Sequence, residues 1–474
     1  MSVLTEQAVR AAEEISSAEE VLVVTHIDAD GICAAALASL ILDRVEKPYE
    51  IRYLKKLDAA VLEKLRGEKG RLIWFTDLGS GALAEMKGLR AVIADHHIPY
   101  EPPARVRGDL LALAEVMDCD IPHVNPHLEG RDGGTDLSGA GAVHLIAKEI
   151  EPGAARMAHL AVVGAVGDLQ DRGGRGLAGT NRTILEEGVR AGVIELVREI
   201  GFFGRESRPV HKMLQYASEP TLPDLAGDEE ACIQFLTDTG IRLRDGTDWR
   251  RWIDLTKGER ASLLTRLREH LRAHGFEDEI EREVYLLPME EEGTPLHEAK
   301  EFATLLNSCG RYDKAHIGLE IARGNRAAAY KAGLSLQEGH KRNLVEYLQV
   351  VRSIGIIHRN GIQYFHAGES ISETVVGTVA GMALNSGLAE RSAPLFAFAN
   401  AEDGVKVSCR ASRQLVQMGL DLSEVARIAS GAVGGGGGGH RIAAGATIPA
   451  GTEEAFLAAA AKVVERQMRR GGDR

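Results

Sequence analysis

The stretch that decides the fold is Val21 to Gly31, VLVVTHIDADG, in which four apolar residues break into His26, Asp28, Asp30 and Gly31. A short run rich in β-branched residues that ends in polar ligands predicts a buried parallel strand stopping at the edge of a site. The pattern recurs. Leu72 to Phe75 runs into Thr76 and Asp77, Ala91 to Ala94 into Asp95, His96 and His97, and Ala161 to Val166 into Gly167 and Asp168. In an open α/β sheet the carboxyl ends of parallel strands face one crevice, so these groups, remote in sequence, are expected to meet there.

Around that stretch the periodicity predicts a helix over about residues 4–17, an apolar helix from Ile32 to Leu42, a strand from Glu50 to Leu54 and a helix from Ala59 to Leu65. Strand and helix alternate, which predicts an N-terminal doubly wound, mainly parallel sheet in a domain spanning 1–200. Pro99, Pro102, Pro103, Pro122 and Pro126 interrupt it with an irregular stretch. There His123 and His127 flank Asn125 and Pro126 in a structured loop. Ser138 caps a helix running to Ile150, and a further apolar helix or strand precedes Gly167.

Residues 201–282 read as a linker and mostly helical insert. The Gly-, Pro- and Arg-rich 201–230 forms an interdomain connection, WRRW stands at Trp249 to Trp252, and Thr256 and Glu259 have capping-box spacing. Residues 283–474 read as a second, smaller α/β domain, with the active site in the cleft between the two. Its expected strands are 283–287, 315–321, 353–358, 395–400 and 405–410. A helix opens at Thr294, Pro295 and Leu296 and runs through Leu306, and a terminal helix covers about 452–470. Gly434 to Gly439, followed by His440, is its most distinctive feature.

The chain has 474 residues, 44% apolar and 26% charged, with no apolar run long enough for a membrane span. Glu6, Glu13 and Glu14 stand where a signal peptide would be basic, which implies a cytoplasmic protein. Cys33, Cys119, Cys232, Cys309 and Cys409 form no CxxC pair, so neither a disulfide framework nor a zinc site is expected, and each reads as a buried small apolar residue. The net charge of -13 argues against a nucleic-acid coating protein. It is compatible with a nuclease whose positive charge is confined to a cleft and supplied partly by metal.

Four carboxylates, Asp28, Asp30, Asp77 and Asp168, crowded beside His26, His96 and His97, would repel one another unless divalent cations neutralised them. Carboxylate and imidazole without thiolate suits two Mn²⁺ or Mg²⁺ ions. Two such ions would activate water and stabilise an in-line phosphoryl displacement. Each motif alone has a plainer reading, a helix cap for DxD and solvated loop residues for paired histidines. In the second domain, consecutive glycines let backbone N–H groups approach a phosphate, with His440 as a side-chain donor. Ser408 and Arg410 stand at a strand end, and Asn307 and Arg311 are weaker candidates. The WRRW cluster offers base stacking or domain packing.

THIDADG, FTDLGSG, ADHH and AVGDLQD resemble the four motifs of the DHH phosphoesterase superfamily, and GGGGGGHRIAAG resembles the glycine-rich motif of its DHH-associated C-terminal domain. RPVHKMLQYASEPTLPDLAG and EFATLLNSCGR are similar to archaeal RecJ-like single-strand exonucleases. The resemblance implies that Asp28 and Asp30 bind one metal each, that Asp77 bridges them, and that His96 and Asp168 complete the second site. His97 would face the scissile phosphate and Asp95 would orient a histidine. His26 precedes Asp28 by two residues, where several members place it four before. Ser408, Arg410, Gly437, Gly438, Gly439 and His440 would contact substrate.

The implied activity is a Mn²⁺- or Mg²⁺-dependent exonuclease on single-stranded DNA, 5′ to 3′, in repair or replication. The alternatives are a 3′ to 5′ RNA exonuclease, a short-oligonucleotide or cyclic-dinucleotide phosphodiesterase, and a non-catalytic replisome scaffold. Single-stranded nucleic acid and a GINS-like replisome protein are the implied partners, with no membrane. The insert at about 226–280 is expected to be a docking surface.

Overall fold

The computed structural model describes residues 2–99, 120–172, 176–217, 220–276 and 280–472. Cys119, Pro102 and Pro103 lie outside them. The chain divides into two compact units, Met1–Gln337 and Glu338–Arg474.

The first unit is organised by β1 (Val21–His26), a strand buried along almost its whole length. It is preceded by α1 (Val3–Ser17) and followed by α2 (Ala29–Arg44), β2 (Tyr49–Leu54), α3 (Ala59–Leu65), β3 (Leu72–Thr76), β4 (Ala91–Ala94) and β5 (His123–Val124). All five strands are parallel, in the order β2-β1-β3-β4-β5. Period-two alternation splits the strand residues between two layers. Val21, Val23, Trp74 and Val92 face the layer of α1 and α2, while Leu22, Val24, Phe75 and Ile93 face the layer holding Leu62 and Leu65 of α3. The order reverses direction between β1 and β3, which is the crevice where ligands of such sheets bind.

Next come α4 (Gly139–Ile150), α5 (Ala158–Gly167), α6 (Gly179–Arg190) and β6 (Glu195–Ile200). Ala161 to Val166, where the sequence allows helix or strand, lies in a helix. Every residue from Leu160 to Val166 is buried, so the segment is apolar all round and leaves no amphipathic period to read.

Residues 201–230 are a folded part of a small subdomain and not an interdomain connection. Phe202, Val210, Met213 and Leu214 share a core with Leu236, Trp252 and Leu267. Its main helix, α7 (Lys257–Ala273), carries the expected capping box of Thr256 and Glu259. The excursion leaves from β6 and returns through β7 (Glu281–Leu286), which pairs antiparallel with β6 and sets Ile200 opposite Glu281. Buried Arg205, paired with its neighbour Glu206 at 3.1 Å, fastens it to the unit through Glu298 at 3.2 Å.

Three further helices, α8 (Ala299–Arg311), α9 (Ala315–Ala322) and α10 (Ala328–Ile354), follow. Residues 315–321 are thus helix where a strand was expected, residues 353–354 end a helix, and the helix opened by Pro295 begins only at Ala299. Phe302, Leu305, Leu306 and Ile321 enter the core of the first sheet, so the division between units falls at Gln337 and not at residue 283.

The second unit holds β8 (Ile357–Arg359), β9 (Ile362–His366), α11 (Val376–Asn385), β10 (Leu395–Ala401), β11 (Gly404–Arg410), α12 (Leu422–Gly431), β12 (Gly436–Gly439), β13 (Ala443–Ile448) and α13 (Glu453–Gly472). The sheet order is β8-β9-β10-β11-β13-β12, parallel only between β9 and β10. Phe396, Phe398, Val405 and Val407 face α12 and α13. Leu395, Ala397 and Ala399 face α11. Gly436 to Gly439 of the glycine run form an edge strand. No helix among the described residues is long and apolar enough to cross a membrane.

Candidate metal centre

Asp28 lies just beyond β1 and caps α2. Its Oδ1 accepts the Gly31 N–H at 3.0 Å, and its Oδ2 lies 2.8 Å from Nδ1 of His26. The helix-cap reading and the ligand reading of DxD are both met, by different oxygens. Asp30, in the first turn of α2, is fully buried, and its carboxylate accepts N–H groups of Gly139 at 2.6 Å and Ala140 at 3.0 Å. The positive end of α4 thus holds this carboxylate. A Cβ on Gly164 would fall 2.2 Å from Asp30 Oδ1 and one on Gly139 2.5 Å from Asp77 Cβ, so both glycines are needed for the packing.

Asp77 follows β3 with φ of 59°, a left-handed conformation that is costly outside glycine and concentrated at functional sites. It is 1% exposed, and neither of its carboxylate oxygens receives a directed hydrogen bond. Oδ2 lies 3.6 Å from His26 Nδ1, and Oδ1 lies 3.3 Å from His96 Nε2. His96 Nε2 also lies 3.1 Å from Asp168 Oδ2 and 3.8 Å from Asp30 Oδ2. Its other nitrogen is 2.8 Å from the Gly133 carbonyl, which fixes the proton on Nδ1 and turns the Nε2 lone pair toward the carboxylates.

Among the described residues three overlapping groups could hold a cation, and Asp77 belongs to all of them. Asp77, Asp95, His96 and His97 form one, but both Asp95 oxygens already accept backbone N–H groups, which leaves two donor sets sharing Asp77: His26, Asp28 and Asp77, and Asp30, Asp77, His96 and Asp168. Buried this close together, the carboxylates burden one another electrically. Burial, then Asp77 and Asp168, push the Asp30 pKa well above the carboxylate range, and burial raises that of Asp168. Orphaned buried acceptors, a shared carboxylate and an oxygen-and-imidazole donor set fit divalent-cation binding.

Asp95 sits behind this layer. Fully buried, it accepts N–H groups from Ser80 at 2.9 Å and His96 at 2.8 Å, and its Oδ1 lies 2.8 Å from His97 Nδ1. That hydrogen bond raises the His97 pKa. The His97 ring is otherwise open, lining with His26, Asp77, Lys55 and Lys56 a cleft of about 410 Å³. Sequence reasoning missed Gly133, Ser80 and Gln170. The Gln170 amide donates to the Gly133 carbonyl at 3.0 Å, and its place in AVGDLQD was the available signal.

From α8, Asn307 accepts the Ala29 N–H at 3.0 Å, and a Cβ on Gly310 would fall 1.8 Å from the Ile27 carbonyl, so this helix lies tight against the first motif. Arg311 is near enough to Asp28 to feel its charge. His123 is buried against the Ser80 hydroxyl at 2.8 Å, and burial lowers its pKa to about 4. Asn125 bonds the Ser80 hydroxyl and the His97 carbonyl, which makes HVNPH a structured support. WRRW is packing: Trp252 is buried, Arg250 pairs with Glu259 at 2.6 Å and Arg251 with Asp254 at 3.1 Å.

In the second unit, Ser408 is opposite Gly445, which is opposite Gly438, and Lys406 is opposite Thr447, which is opposite Gly436. Paired residues share a sheet face, so Lys406, Ser408 and Arg410 stand on the same side as Gly436 and Gly438. No atom lies within 4 Å of a Cβ built on either glycine. Gly437 is different: its Cβ would meet Ala446 at 2.8 Å and the Ala426 carbonyl at 2.9 Å, so packing under α12 dictates it. Gly439 has φ of 135° and leads into the turn holding exposed His440. Arg410 donates to the Cys409 carbonyl at 2.9 Å, and burial lowers its pKa. Gly377 of α11 leaves room for it, since a Cβ there would lie 2.6 Å from the guanidinium. Lys406 went unnoticed in sequence because only the register puts it on this face.

Fold and site together define a doubly wound α/β protein whose clustered carboxylates and imidazoles at the sheet's switch point fit divalent cations. The family profile of the DHH-CID domain matches residues 202–284, and that of the DHHA1 domain matches residues 361–466. These two matches support the resemblance to the DHH superfamily, with DHH-CID and DHHA1 domains in the order of the chain. It is similar to an uncharacterized protein of Methanocaldococcus jannaschii, 26% identical over 94% of either chain. Among solved structures it resembles RecJ of Thermus thermophilus in complex with Mn²⁺, at 18% identity and a TM-score of 0.59, over 98% of this chain and 55% of that one. It also resembles CDC45 of Entamoeba histolytica, at 12% identity and a TM-score of 0.62, over 98% of both.

Proposed function

We propose that this chain is a divalent-metal-dependent phosphodiesterase of the RecJ type, an exonuclease on single-stranded nucleic acid with DNA as its substrate and 5′ to 3′ polarity. The observation that carries the reading is Asp77: a buried carboxylate in a strained backbone, with both oxygens free of hydrogen-bond donors and each directed toward a different donor set. A helix cap would use those oxygens to accept backbone N–H groups.

In this reading His26, Asp28 and Asp77 would hold one Mn²⁺ or Mg²⁺, and Asp30, Asp77, His96 and Asp168 would hold the other. Bound there, the pair supplies water activation and charge neutralisation at the scissile phosphate. The protein's own groups do the rest. Asp30 is locked by Gly139 and Ala140, and His96 by the Gly133 carbonyl, so the donor set is preorganised. His97, steadied by Asp95, offers Nε2 to a phosphate oxygen from the cleft. Ser408, Arg410 and His440, with the backbone of Gly437 to Gly439, grip phosphates remote from the reacting one. The substrate class and polarity rest on the likeness to RecJ.

The described residues of the insert at 226–280 contribute no ligand to either donor set and share with residues 200–225 a core separate from that of the sheet, which supports a role as a docking surface for a GINS-like replisome protein in DNA replication or repair. The activity is tested by digesting end-labelled DNA and RNA strands of matched sequence with Mn²⁺. Shortening of the DNA strand from its 5′ end is expected. Intact DNA and RNA would overturn the enzymatic reading and favour a replisome scaffold.

A further inference from the structure

The end of α5 carries a feature that metal binding does not require. Leu169 N–H bonds the Val166 carbonyl and Gln170 N–H the Ala165 carbonyl, both at 3.0 Å, around Asp168 as the C-cap. This is the Schellman arrangement, in which the residue after the cap adopts a left-handed conformation and is usually glycine. Here that residue is a leucine with φ of 62°, and its side chain is 45% exposed. The position is unfavourable twice, through backbone strain and through an apolar side chain left in water.

The fixed residue of the turn is Gln170, buried and bonded to the Gly133 carbonyl at 3.0 Å. Leu169 is thrown outward beside Asp168, whose Oδ2 is 3.1 Å from His96 Nε2. Ile98, the residue after His97, is likewise 70% exposed. Each of these two motifs at the metal centre thus places an exposed branched aliphatic side chain directly after its last functional residue.

We infer that Leu169 is a specificity-determining contact, an apolar rest for the nucleobase adjoining the scissile phosphate, held in place by the strained turn. The inference rests on the phosphodiesterase reading above. Its strain and its exposure are what the chain tolerates to keep an apolar group at that point.

The test uses full-length protein with Mn²⁺ and short DNA strands, either fully base-bearing or carrying an abasic residue at the 5′ or, separately, the 3′ end. Leu169→Gly and Leu169→Asn both suit the left-handed turn, so both should fold and melt above the parent. The parent should prefer the base-bearing strand over one of the abasic strands, and each variant should lose about tenfold of that preference in kcat/KM. A variant that is more stable than the parent and keeps its full preference would overturn the inference, as would a parent indifferent to the abasic ends. A parent that cuts none of these strands would instead remove the phosphodiesterase reading, and the inference with it.

Discussion

Asp95 holds His97: its Oδ1 lies 2.8 Å from the imidazole Nδ1 and accepts the backbone N–H groups of His96 at 2.8 Å and His97 at 3.2 Å. One buried carboxylate therefore fixes both the ring and the chain that carries it, and leaves His97 Nε2 for the cleft.

Replacing Asp95 with Asn keeps an acceptor and removes the charge. The expected result is a fall in kcat of about 10- to 100-fold, the usual cost of losing such a supporting partner. Because the bond to Asp95 raises the His97 pKa, the variant's imidazole loses its proton at lower pH, and the alkaline limb of the rate profile should move to lower pH. A pH–rate profile of parent and Asp95→Asn measures both. An unmoved limb with full kcat would mean that His97 does not act on substrate.

Arg410 and His440 are expected to bind phosphates in ground and transition state alike, so Arg410→Ala and His440→Ala should raise KM more than they lower kcat. Losing a phosphate contact should also make the salt dependence of single-strand affinity shallower, by roughly one unit of log–log slope. Lys406→Ala should behave as Arg410→Ala does. Affinity titrations across a salt series, alongside Mn²⁺ content, provide the check. Unchanged affinity and slope in all three would remove the second unit from substrate binding.

Neighbouring glycines of the edge strand should respond differently. Gly437→Ala drives a methyl into Ala446 and the Ala426 carbonyl, and should cost about 1–3 kcal/mol. Gly438→Ala meets open space and should leave stability within about 0.5 kcal/mol while weakening single-strand binding. Thermal melts and binding isotherms of the pair decide it. Equal destabilisation by both would show that the run is purely structural.

The sequence made the first sheet legible because its strands are short apolar runs ending in polar clusters, and β1, β3 and β4 fall where those runs stand. Asp168 was assigned to the site from its motif, while its element was left open between helix and strand, since a helix buried all round shows no period. The segment from Ala315 to Ile321 misled: short, apolar and β-branched at two positions, it packs as α9. What composition could not show was partnership across long separations. The Gly139 and Ala140 amides on Asp30, the Gly133 carbonyl behind His96 and the row joining Lys406 to Gly436 depend on tertiary register. The Gly- and Pro-rich segment after residue 200 looked like linker because its apolar residues are sparse, yet Phe202, Met213 and Leu214 suffice once α7 covers them.

The β6–β7 pairing sets Ile200 beside Glu281, with the Gly201 N–H on the Ile280 carbonyl at 2.9 Å. Residues 201–280 should therefore be replaceable as a block by a tight Asn-Gly turn. Deleting only 226–280 would strip cover from Phe202, Val210 and Met213. The block replacement is expected to spare cleavage of short single strands if the insert is a docking surface. Loss of that cleavage in a folded variant, by the end-label assay, would assign the insert to the substrate path.

The measurement that bears most directly on the central claim is the rate of single-strand hydrolysis by Asp77→Ala in saturating Mn²⁺, with folding verified by thermal melt. Asp77 alone belongs to both donor sets, so its loss should abolish hydrolysis, by at least about 10³-fold, while the fold persists. A folded Asp77→Ala protein that cuts single strands near the parental rate would contradict a binuclear centre at this site.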